Sequence, residues 1–94
     1  MSVPMAKVLN EVFENIQKGE CLLQGKRRLE QLGIPFTYFK EAFLATEESD
    51  LIGIDGIPTP SWIFNVFIDD DITLKVKIIS DRVNGRLRWI VIIL

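Results

Sequence analysis

Hydrophobic positions change their spacing near residue 60: before it they recur every three or four residues, and after it they alternate. Met5, Val8, Leu9, Val12, Phe13 and Ile16 fall at i, i+3, i+4 and i+7, the apolar stripe of a helix over residues 2–18. Ser2 is placed to cap that helix, Pro4 fits its first turn, and Gly19 can end it. Leu22, Leu29 and Leu32 share a face of a weaker second helix over 20–32, interrupted by Gly25. Its end is well signed by "LGIP": Gly33 for a left-handed residue, Ile34 for the hydrophobic contact that follows, Pro35 to bar continuation. Phe36, Phe39 and Phe43 predict a short third helix over about 36–45. A strand competes there, because Phe36, Thr37, Tyr38 and Phe39 all prefer extended structure. "ATEESD" reads as an acidic connector, and "LIGIDGIPTP" as a short strand at 51–54 followed by turns around Pro58 and Pro60.

Three strands are expected from Ser61 onward, at 61–68, 72–80 and 86–94. Asn84-Gly85 predicts a two-residue type I′ hairpin, since both central residues of that turn need positive φ. The register then sets Val83 against Arg86, Asp81 against Arg88, Ile79 against Ile90, Lys77 against Ile92 and Lys75 against Leu94. Asp81 and Arg88 place opposite charges across the ladder, in support of that register. At "IDDDI", a three-residue loop of Asp69, Asp70 and Asp71 sets Phe64 against Val76 and Val66 against Leu74. A two-residue loop would oppose Phe64 to Lys77 and mix the faces.

With those registers one sheet face carries Trp62, Phe64, Val66, Ile68, Leu74, Val76, Ile78, Trp89, Val91 and Ile93. This is the core side, against which the helices should pack. The other face carries Ile63, Asn65, Phe67, Thr73, Lys75, Lys77, Ile79, Ile90, Ile92 and Leu94, where a sheet covered on one side should be polar. The final strand, "RLRWIVIIL", is apolar on both faces yet lies at the edge of the meander. Long apolar edges are covered or paired, so either another segment of this chain or another chain should pair with it.

The expected fold is therefore α+β. Two or three N-terminal helices pack on one face of a C-terminal antiparallel three-stranded β-meander, with room for a fourth short strand at 51–54. At 94 residues the chain is expected to be one domain over 1–94, its helical part at 1–45 and its meander at 61–94.

Composition narrows the function classes. A net charge of −2 disfavours a protein whose main task is neutralising phosphates. The lone cysteine, Cys21, permits no intramolecular disulfide and suits a reducing compartment. The start, "MSVPMAKVLNEVF", has no basic segment leading into an apolar core, and the longest apolar run is six residues where a membrane span needs about 20. A cytoplasmic protein without a membrane span is the expectation. The sequence contains no histidine, which removes Ser-His-Asp and Cys-His catalysis and histidine-ligated metals.

Each candidate site has a plainer reading. Asp69-Asp70-Asp71 offers carboxylates to a hard cation but lacks calcium-loop spacing, and aspartate is a common turn residue. Cys21 reads as a small buried hydrophobe rather than a nucleophile. Arg82, Arg86 and Arg88 read as a solvated hairpin tip, Arg88 having a mate in Asp81. No catalytic residue, cofactor or metal site is assigned.

The basic cluster Lys26, Arg27 and Arg28, with Lys40, lies in a helix-turn-helix-like segment over 26–43 and suggests phosphate contact. The residues where a recognition helix wants polar groups are Phe36, Tyr38 and Phe39. The favoured site is the second sheet face, with Ile63, Phe67, Ile79, Ile90, Ile92 and Leu94 as a patch crossed by the stems of Lys75 and Lys77. The expected function is that of a small non-catalytic interaction or regulatory protein, a homodimer or a subunit docking on another protein. A nucleic-acid-binding regulator and an accessory subunit of an enzyme are the alternatives.

Overall fold

The computed structural model describes residues 5–55 and 60–94. The expectations for Ser2, Pro4, the Met5 side chain and the turn at Pro58 lie outside the described residues. Three helices precede most of the sheet: α1 (Met5–Lys18), α2 (Lys26–Leu32) and α3 (Phe36–Leu44). The strands are β1 (Leu22–Gln24), β2 (Leu51–Asp55), β3 (Ser61–Phe67), β4 (Thr73–Val83) and β5 (Arg86–Ile93). They form one mixed sheet in the order β1-β5-β4-β3-β2. The class is α+β: β3–β5 are the expected meander, β2 is the short strand expected at 51–54, and β1 is a fifth strand that the pattern did not predict.

The meander keeps the register that its pattern specifies. Asp81 pairs with Arg88, Ile79 with Ile90 and Lys77 with Ile92. Phe64 pairs with Val76 and Val66 with Leu74. Asn84 and Gly85 take φ of 53° and 78°, the positive values of a type I′ turn. At the other hairpin the Ile68 N–H donates to the Ile72 carbonyl at 2.9 Å, which closes a three-residue loop. Asp69 Oδ1 accepts from the N–H groups of Asp71 and Ile72 at 2.8 and 2.9 Å. This carboxylate thus organises the turn, the role aspartate commonly has there. Among the described residues no cluster of Cys, Asp or Glu has the geometry of a cation site.

The expected helix over 20–32 is corrected. Helix α2 begins only at Lys26, and Leu22–Gln24 form a strand parallel to β5, with Leu22 opposite Ile90, Leu23 opposite Val91 and Gln24 opposite Ile92. The open apolar edge of β5 is the cause, because its unpaired backbone groups accept a strand wherever one can reach. Leu23 joins the core side beside Val91, and Leu22 joins the outer face beside Ile90. The edge left open by the meander is therefore answered within the chain over Ile90–Ile92. Gly25 makes the join. It has φ of 88°, and a Cβ built there would collide with the Ile93 carbonyl. The end of α2 follows its signals: Gly33 is left-handed (φ 69°), and the Ile34 N–H reaches back to the Leu29 carbonyl at 2.9 Å.

The segment at 36–45 is helical rather than extended, because its three phenylalanines gain a stacked ladder on one helix face. Phe36 and Phe39 ring centroids are 6.3 Å apart, and those of Phe39 and Phe43 5.8 Å. Phe13 of α1 meets Phe43 edge-on at 5.3 Å, tying α1 to α3. All three helices feed one core. Val8, Leu9 and Val12 from α1, Leu29 from α2, and Phe39 and Phe43 from α3 pack with Trp62, Phe64, Val76, Ile78, Trp89 and Val91 of the sheet. Every sheet residue in this buried cluster lies on the expected core side. No helix is long and apolar enough to cross a membrane among the described residues.

Candidate functional site

Two features of the surface have the shape of a site, one on each side of the sheet. The first is the outer face. Alternation along β3, β4 and β5 places Ile63, Phe67, Ile79, Ile90 and Ile92 there, and Leu94 follows β5 on the same side. Ile63, Ile79, Ile90 and Ile92 are half-buried by their lateral neighbours, while Phe67 and Leu94 are 56% and 51% exposed. The structure adds Leu22, 40% exposed and opposite Ile90. Sequence reading missed Leu22 because its place on this face depends on a parallel pairing with no local signature. Lys75 and Lys77 cross the middle of the patch, Lys77 lying between Ile63 and Ile92 in the ladder. At one end the Asp81 carboxylate meets the Arg88 guanidinium at 3.9 Å. Both partners are about 40% exposed, and the Arg88 Nε is shielded without a hydrogen-bond partner among the described residues. That loose pair contributes little to stability.

Among the described residues no helix covers the outer face, for a simple topological reason. The residues that the three helices bury belong to the cluster on the other side. The edges differ in character. β1 is three residues long, and β2 carries a register shift between Leu51 and Gly53, with Ile52 and Ile54 48% and 70% exposed. Short and bulged edges are poor templates for strand addition.

The second feature is a cleft of about 230 Å³ on the helix side, between the end of α1, β1, the start of α2 and α3. Ile16, Leu23 and Phe36 supply accessible apolar wall in front of buried Phe39 and Phe43, and Lys26 and Lys40 are the charged residues that line it. The expected basic cluster is thereby divided. Lys26 and Lys40 meet at this cleft, whereas the exposed Arg27 and Arg28 do not line it. The Lys26 Nζ stands 4.9 Å from the centre of the Phe36 ring, a cation–π contact.

Cys21 also lines the cleft, with its thiol donating to the Trp89 carbonyl at 3.3 Å. Burial pushes this thiol up from its ordinary value to about 11, and a hydrogen bond from the Val91 backbone partly offsets the rise. At neutral pH Cys21 is protonated and a poor nucleophile, in keeping with its reading as a small hydrophobe. No family model matches the chain, and neither a curated protein nor a solved structure matches it.

Proposed function

We propose that this chain is a small non-catalytic interaction protein whose outer sheet face is covered by a second copy of itself. The observation that carries the reading is that face: seven apolar side chains, Leu22, Ile63, Phe67, Ile79, Ile90, Ile92 and Leu94, on the side away from the helix-packed core. Contiguous apolar surface of this kind marks association sites. The half-buried isoleucines would each contribute about 1 kcal/mol on further burial, and the more exposed Phe67 about 2 kcal/mol. That sum is comparable to the lower range of association costs, about 4–15 kcal/mol, so the association is concentration-dependent.

The lysines are compatible with self-association. Two stacked sheets pack with their strands nearly aligned. A two-fold axis across the strands at Ile79 would set Lys77 of each copy opposite Asp81 of the other, because the two residues flank Ile79 symmetrically on β4. Opposite charges would then face each other on either side of Ile79.

Ile92→Lys tests the reading. It adds a charge at the centre of the patch without touching the core, and it should give a folded monomer. A dimer that survives this change would place the interface elsewhere. If the wild type is monomeric at every concentration yet binds a different protein in an Ile92-dependent way, the face is a docking site for that protein. Of the expected alternatives, nucleic-acid binding through Lys26, Arg27, Arg28 and Lys40 predicts retention on DNA that falls steeply with salt. An accessory role in an enzyme predicts copurification with a catalytic partner.

A further inference from the structure

The cleft on the helix side is independent of the outer face. Its accessible apolar wall comes from Ile16, Leu23 and Phe36, with Phe39 and Phe43 buried behind, and the charged residues lining it are Lys26 and Lys40. Among the described residues neither ammonium is paired with a carboxylate, although such pairs form elsewhere on the chain, as between Lys18 and Glu14. Lys26, at an exposed position, stands over the Phe36 ring, and Lys40 is half-buried. An apolar chamber with a few convergent polar groups is the general form of a small-molecule site. The polar groups here are of one sign, so the complementary ligand is an anion with an apolar body.

Size and donor count narrow the class. A dry cavity of about 150 Å³ accommodates benzene, and drug-sized ligands need about 300 Å³ or more. At about 230 Å³ the cleft suits one aromatic ring with a short acid arm. Phe36, 42% exposed, supplies aromatic surface for such a body, and Phe39 and Phe43 stack behind it in the core. The pair of ammoniums matches a carboxylate. A phosphate monoester, with more charge and more acceptors, is ordinarily bound by a nest of backbone N–H groups or by arginine forks. We infer that the cleft between α1, β1 and α3 binds a small aromatic monocarboxylate, with its ring against Ile16, Leu23 and Phe36 and its carboxylate between Lys26 and Lys40.

Phenylacetate and the uncharged 2-phenylethanol are the probes, followed by amide chemical shifts in ¹H–¹⁵N spectra of the whole chain. Phenylacetate should produce saturable shifts at Cys21, Leu23 and the amides of α3, and should bind about tenfold more tightly than the alcohol. The double variant Lys26→Gln/Lys40→Gln, altered only at side chains outside the buried core, should lose that preference while still binding the alcohol weakly. Absence of saturable shifts overturns the inference. So do equal affinities for acid and alcohol, shifts centred away from the cleft, and a preference that persists in the double variant.

Discussion

Gly25→Ala probes the join on which the arrangement of β1 depends. Gly25 holds φ of 88°, where an alanine costs about 1–2 kcal/mol. The new Cβ would also lie against the Ile93 carbonyl oxygen and within 3.2 Å of the Ile93 Cβ. These neighbours belong to the strand that β1 covers, so relief requires the backbone of β1 or β5 to move, at about 1–3 kcal/mol. Gly33→Ala is the internal control. Its φ is 69°, but nothing lies within 4 Å of the added methyl, so only the backbone term applies. The smaller unfolded-state entropy of alanine offsets both variants alike by about 0.4–1 kcal/mol and cancels in the comparison. Urea unfolding followed by the fluorescence of the buried Trp62 and Trp89 should find Gly25→Ala less stable than Gly33→Ala by about 1–3 kcal/mol. Faster amide exchange at Leu22–Gln24 and Ile90–Ile92 should accompany the loss. Equal stabilities would refute the close approach, and with it the account of how β1 is held on β5.

Two further outcomes follow from the core. Phe43 is fully buried between Phe13 and Phe39, so Phe43→Ala should cost about 3–5 kcal/mol in the same assay. Phe36→Ala, at a 42% exposed position, should cost far less, and equal costs would contradict the ladder's orientation. Cys21 gives a pH signature: its thiol ionises near its ordinary value of 9.0 in the unfolded chain but near 11 when folded. The unfolded state therefore loses its proton first. The thiol's share of stability is intact below pH 9 and declines as pH rises from 9 to 11. Cys21→Ala should show a shallower decline over that window, and parallel curves for the two proteins would argue against a desolvated thiol.

The extent to which the sequence reveals this fold varies with the range of the interactions. The β3–β4–β5 registers were legible because turn chemistry and alternation act on neighbouring residues: Asn84-Gly85 fixes one hairpin, and the separation of Phe64 from Lys77 fixes the loop length of the other. The end of α2 was legible for the same reason. β1 was not, because "LLQ" is too short to show a period and its partner lies about 70 positions away in β5, as the Cys21–Trp89 contact illustrates. Most of the outer patch could be read from alternate residues, but Leu22 entered it only with β1. The cleft had no linear signature. Lys26 and Lys40 looked like members of a basic run with Arg27 and Arg28, and tertiary packing alone brings them to one chamber.

Cover of the outer face by a second copy shows in the solution mass, measured by light scattering across a dilution series at low and high salt. Twice the chain mass is expected at high concentration. Dissociation on dilution and little weakening by salt should accompany it, since apolar burial rather than ion pairing holds the contact. A single-chain mass at every concentration and salt would contradict such cover.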